Sequence, residues 1–84
     1  MYNIKNITES QLKAARALLG WSGQNLSEAS GVGVATIRRL ETGHLAVAHK
    51  PTVQALVFTL EQAGIEFTGD PNANPGVTLH LKEN

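Results

Sequence analysis

Arg38 and Arg39 are the pair in this 84-residue chain best equipped for recognition chemistry. Each guanidinium carries a planar fork of N–H donors that suits a phosphate or the O6/N7 edge of a guanine. Thr36, just before them, can donate or accept a hydrogen bond, whereas Val34 and Ala35 offer only apolar contact and Gly33 offers no side chain. In an arbitrary helix such arginines are more often simply solvated, so their setting has to decide. Further groups able to hold a phosphate are Lys13, Arg16, Lys50 and the amide of Gln24.

Other chemistries find little support. There is no cysteine, which removes thiol nucleophiles, disulfides and thiolate metal sites together and fits a reducing compartment. His44, His49 and His80 are spaced neither as ligands on one helix nor beside a nucleophile, so each is expected to be a solvated loop residue. No paired carboxylates or activated serine appear. Gly31-Val32-Gly33 is too short for a phosphate-cradling loop and follows no strand. The expectation is a non-enzyme with no cofactor and no metal.

Seven Lys and Arg balance seven Asp and Glu, for a formal charge of zero, so there is no global electrostatic footprint of a nucleic-acid binder. The balance is uneven along the chain. Residues 1–50 hold six basic groups against three acidic ones, a net of plus three, and residues 51–84 hold one against four, a net of minus three. The apolar fraction of 42% is that of a folded chain. No apolar run is long enough to span a membrane and the polar start Met1–Lys5 is no signal peptide, so a cytoplasmic protein is expected. A chain this short buries only roughly 60–65% of its unfolded surface, which makes homo-oligomerisation a reasonable expectation.

The elements that would position these groups announce themselves through caps. Thr8-Glu9-Ser10-Gln11 is a capping box, with Ile7 and Leu12 at staple spacing, and it opens a helix over Glu9–Leu19. Leu12, Ala15, Leu18 and Leu19 form its apolar stripe, and Gly20 stops it. Ser22 caps a second helix running to Ser30, with Trp21 and Leu26 as its staple, which makes Trp21 a core residue. Gly31 ends it. A third helix, Val34–Glu41, would turn Ile37 and Leu40 inward and close at Gly43. His44–Lys50 reads as a loop, and Pro51 at a first helical position opens Thr52–Ala63, stopped by Gly64. Val53, Leu56, Val57 and Leu60 make the inner face of that helix. Phe58 falls on the opposite side beside Ala55 and Gln62, a position that suggests an interface. The period then changes: Ile65–Thr68 and Val77–Leu81 alternate across a breaker-rich segment, which predicts a β-hairpin packing Ile65, Phe67, Val77, Leu79 and Leu81 on the helices.

Short helices meeting at a tight glycine turn form a helix-turn-helix unit over Gly23–Thr42, with Leu26, Val32, Ile37 and Leu40 at the crossing. The run Leu12–Ser22, then Leu26–Val32, then Ala35–Gly43, continued by Ala63–Phe67 and Pro75–Leu79, resembles the small bacterial lambda-repressor/Cro-like regulators, also called the XRE family. The likeness extends over residues 8–81. It implies a mainly α fold, four helices of helix-turn-helix type with a C-terminal β-hairpin, in one domain spanning 1–84 (core 8–63, hairpin 65–82). It further implies a dimer that lays its third helix in the major groove of operator DNA, with Gly33, Val34, Ala35, Thr36, Arg38 and Arg39 as the base-reading positions and flanking residues on phosphates, for which this chain offers Lys13, Arg16, Arg38, Arg39, Lys50 and Gln24. An arginine in the first helix paired with the glutamate ending the third is a brace such a family would use, here Arg16 with Glu41.

Two departures from the family pattern are visible. Gly23 stands where the family commonly has a backbone-gripping glutamine, and the front of the third helix, Gly33-Val34-Ala35, carries no polar group. Phosphate contacts supply much of the affinity in such complexes, so weak or salt-sensitive DNA binding is expected. The same departures support a reading of another class, an antiactivator that captures a transcription factor by protein contact through Phe58, Ala55 and Gln62. Antitoxin use of the fold is a third reading that no residue singles out.

Overall fold

The computed structural model describes residues 6–81; the expectations for Met1–Lys5 and Lys82 lie outside them. Four helices come first, α1 (Glu9–Leu19), α2 (Gly23–Ser30), α3 (Val34–Glu41) and α4 (Lys50–Gln62), with a 3-10 turn at Leu45–Val47 before α4. An antiparallel hairpin of β1 (Ile65–Thr68) and β2 (Gly76–Leu79) closes the chain.

The helix starts follow their caps. Thr8 Oγ1 accepts from the Gln11 backbone N–H at 3.1 Å while Gln11 Oε1 accepts from the Thr8 N–H at 2.9 Å. The same reciprocal box forms at α2, where Ser22 and Asn25 exchange bonds of 2.9 and 3.0 Å. Gly31 takes φ 80° at the end of α2, a conformation a side chain disfavours, and this turns the chain into α3.

α2 and α3 pack on each other and α1 and α4 enclose them, with the hairpin lying on α1 and α4. Leu12, Leu26, Ile37, Leu56 and Leu60 are wholly buried, so every helix sends at least one branched aliphatic side chain to a common centre. Ile65 joins them, and Trp21, Val32, Val53, Phe67, Val77 and Leu79 pack around the rim.

Gln11 also joins the hairpin to α1. It is 4% exposed, and its Nε2 donates to the carbonyls of Gly76 at 2.9 Å and Thr68 at 3.3 Å. These two residues face each other where the hairpin opens into its loop, so one amide gathers both strands onto α1.

Several boundaries differ from expectation. α4 begins at Lys50, not Thr52, because Pro51 is accommodated within the first turn and the His49 carbonyl accepts from the N–H of Thr52 and Val53. It ends at Gln62, with Ala63 as its cap. α3 is closed by Thr42, not Gly43, through a bond from the Thr42 N–H to the Arg39 carbonyl. The expected loop His44–Lys50 contains the 3-10 turn, which buries Leu45. Leu18, expected in the apolar stripe of α1, is 47% exposed, and the buried residues of that helix are Gln11, Leu12 and Ala15. Leu81 does not pack on the helices: β2 ends at Leu79, and Leu81 is 81% exposed beyond it.

Candidate nucleic-acid interface

α3 is divided sharply between inside and outside. Ile37, Leu40 and Glu41 are buried, while Ala35, Arg38, Arg39 and, just past the helix, Thr42 are exposed. The exposed positions follow i, i+3, i+4, i+7 spacing, which puts them on one side of the helix.

The orientation of that side is fixed by the third arginine. Arg16 Nε and Nη2 donate to the two carboxylate oxygens of Glu41, each at 2.8 Å, and Nη1 donates to the Trp21 carbonyl at 3.0 Å. The expected brace is therefore a bidentate clamp, and it links α1, the segment entering α2 and the last residue of α3. Hydrogen bonding to Glu41 holds the Arg16 guanidinium above its ordinary pKa, against the burial that would lower it.

Arg38 and Arg39 are in the opposite condition. Among the described residues neither guanidinium has a hydrogen-bond or carboxylate partner, so ten N–H donors are left to water or a ligand. Val34 and Thr36 are half-buried on the flanks. Gly23 opens α2 beside Val34: a Cβ there would lie 3.4 Å from Val34 Cγ2, which is ordinary contact.

The remaining expected site residues are dispersed. Gln24 is exposed on α2 but its Nε2 donates to Glu28 on the same helix at 3.3 Å. Lys50, at the start of α4, borders an open cleft of about 680 Å³ with Thr8, Glu9, Val53 and Asp70, none of which belongs to α3. Phe58 is 63% exposed on α4, Gln62 is exposed and Ala55 half-buried, the three sharing the side opposite Leu56, Val57 and Leu60.

Two of the three histidines are not merely solvated loop residues. The His44 backbone N–H and ring Nδ1 both lie on the Arg39 carbonyl, at 3.3 and 3.2 Å, where Thr42 Oγ1 also donates at 3.3 Å. Thr42 and His44 thus satisfy the free carbonyl at the end of α3, a role that residue spacing past the last helical turn could have signalled for Thr42. His80 Nε2 lies 2.7 Å from Glu66 Oε1 across the exposed face of the hairpin. Among the described residues no three His, Cys, Asp or Glu side chains form a metal-ion set, and no helix is long and apolar enough to cross a membrane.

A helix-turn-helix family model matches residues 12–57, from the first turn of α1 into the middle of α4. No curated protein matches the chain. The matched segment is more than half of the sequence and contains the Arg16–Glu41 clamp, the Gly31 turn and the exposed arginines of α3. The chain belongs to the helix-turn-helix family of lambda-repressor/Cro-like, XRE-type DNA-binding transcriptional regulators.

Proposed function

We propose that this regulator is a small dimeric repressor that docks the exposed side of α3 in the major groove of its operator and binds in a strongly salt-dependent way. The observation that carries this reading is the pair of guanidinium groups, unpartnered among the described residues, on a helix clamped from behind. Ala35, Thr36, Arg38 and Arg39 meet base edges or the groove walls, Val34 supports them, and Gln24 and Lys50 take flanking phosphates.

Affinity follows from how few cations are available. If Arg38 and Lys50 each neutralise one phosphate, a dimer makes about four such contacts, and raising salt from about 50 to about 200 mM weakens binding on the order of 10²-fold. A gel shift of the purified protein on its own upstream region, repeated at rising salt, tests this. The expected result is a complex at low salt that dissolves steeply; no complex at the lowest salt refutes the proposal.

Phe58 favours a second reading, an antiactivator that binds another transcription factor through α4. A large aromatic ring left 63% exposed beside the exposed Gln62 offers apolar area that a protein partner would bury on binding. In a repressor, Phe58→Ser acts only through dimerisation and Arg39→Ala removes operator discrimination. In an antiactivator the order of effects inverts.

A further inference from the structure

Arg38 and Arg39 are neighbours in sequence but not equivalent in direction. At about 100° per residue, Ala35, Arg39 and Thr42 lie within roughly 35° of the direction opposite the buried stripe Ile37, Leu40, Glu41, whereas Arg38 and Thr36 lie about 70–90° to either side. Arg38 falls on the flank that carries Glu41, and so on the side of the Arg16 clamp.

A helix seated in the major groove presents its outermost stripe to the groove floor and its flanks to the two phosphate walls. From this geometry, and resting on the DNA-binding reading above, we infer a division of labour: Arg39 reads a guanine, Ala35 reads a thymine methyl on the same half-site, and Arg38 grips the backbone. The chemistry matches each position. A guanidinium can fork onto guanine O6 and N7, and an alanine methyl, with no polar atom, has only the thymine methyl to favour. On the flank a guanidinium meets phosphate oxygens, which carry no sequence information.

The stripe also sets a spacing. Ala35 and Arg39 are four residues apart, a rise of about 6 Å along the helix, and successive bases of a strand are separated by about 3.4 Å. With α3 lying along the groove, the thymine and the guanine are about two base steps apart. The backbone end of the reader is well anchored, because the Arg39 carbonyl accepts from Thr42 and His44 together.

The test is selection of bound sequences from random duplex DNA by the full-length protein, followed by affinity measurements on the winner and on single-base variants. The wild type should enrich a guanine and a thymine about two positions apart in each half-site. Arg39→Ala should lose the guanine preference, with discrimination at that base falling roughly 5- to 150-fold. Ala35→Gly should lose only the thymine preference. Arg38→Ala should weaken all sequences alike and reduce the magnitude of the log–log salt slope by about one per protomer. All three positions are exposed, and thermal melts of each variant establish that it is folded. Loss of guanine preference in Arg38→Ala instead of Arg39→Ala, or a selected site lacking the guanine, overturns the inference while leaving DNA binding intact. Absence of any bound DNA at low salt overturns the DNA-binding reading itself, and the inference with it.

Discussion

Replacing Arg16 by Met is expected to destabilise the fold far more than loss of an ordinary surface ion pair. The guanidinium makes three hydrogen bonds, two to Glu41 at 2.8 Å and one to the Trp21 carbonyl at 3.0 Å. Glu41 is only 8% exposed, so without Arg16 its carboxylate stays buried and unpaired. Breaking a buried pair in this way costs about 3–5 kcal/mol, whereas exposed pairs are worth about 0–1 kcal/mol. Arg16 itself is a quarter exposed, and water can enter where it leaves, which brings the expected cost to about 2–3 kcal/mol. A chain of this length has a total stability of roughly 4–12 kcal/mol. At about 4–8 °C per kcal/mol, the melting temperature should fall by roughly 10–20 °C.

The assay is circular dichroism melting at fixed protein concentration, so that association does not shift the comparison. Arg16→Met/Glu41→Leu should regain much of the lost stability, because an apolar pair often replaces a buried ion pair at little cost. The pKa direction adds a second check. The folded value of Arg16 lies above its ordinary one, so its contribution is fully present at every pH below the unfolded guanidinium's range and is lost only as pH rises through the folded value, in strong alkali. From neutral to mildly alkaline pH the gap between wild type and Arg16→Met should therefore stay flat. A drop in melting temperature below about 3 °C, or a double variant no better than Arg16→Met, would refute the view that the orphaned carboxylate carries the cost.

Gln11→Ala should release the hairpin, leaving the Thr68 and Gly76 carbonyls without their donor at a cost of about 1–3 kcal/mol, seen as faster hydrogen exchange across residues 65–79 than in α2 and α3. Gly69→Ala is expected to cost at least about 1 kcal/mol in a denaturant melt, because Gly69 sits at φ 75° and a Cβ there runs into the Asn74 carbonyl. Gly23→Gln should strengthen operator binding in a gel shift without lowering the melting temperature, since the new Cβ meets only Val34 Cγ2 and the amide gains reach toward a phosphate.

The first two helices were legible because their starts are written in short-range chemistry. Thr8 with Gln11 and Ser22 lie within three residues of the groups they satisfy, and Gly31 supplies the turn that separates α2 from α3. α4 was harder to place, for His49 makes no side-chain cap bond and Pro51 suits either of the first two helical positions. What depends on distant partners was not legible at all. Gln11 reads locally as a capping residue, and nothing in the sequence says that its amide meets carbonyls 57 and 65 residues away. Leu18 is a second case: helical periodicity includes it in the apolar stripe, yet it is 47% exposed, because a stripe does not say which neighbours reach the last turn of a helix. On α3, the exposure of Arg38 and Arg39 follows from their spacing against Ile37 and Leu40, while the part played by Thr42 and His44 was not legible because it is to satisfy a backbone carbonyl.

The fold also explains why a zero net charge says little about DNA. The three arginines of the helical unit share one chemistry and differ only in surroundings. Arg16 is neutralised by Glu41 and acts as a structural clamp; Arg38 and Arg39 have no counter-charge among the described residues. Three of the acids that balance the formal count, Glu61, Glu66 and Asp70, lie on α4 and on the hairpin and its loop, elements that pack with α1 and α2 and not among the principal neighbours of α3. Exposed charges act over only about 8–10 Å at physiological salt. A ligand approaching α3 therefore meets two guanidinium groups without a partner among the described residues and an exposed methyl, on a backbone fixed from behind by the Arg16–Glu41 clamp.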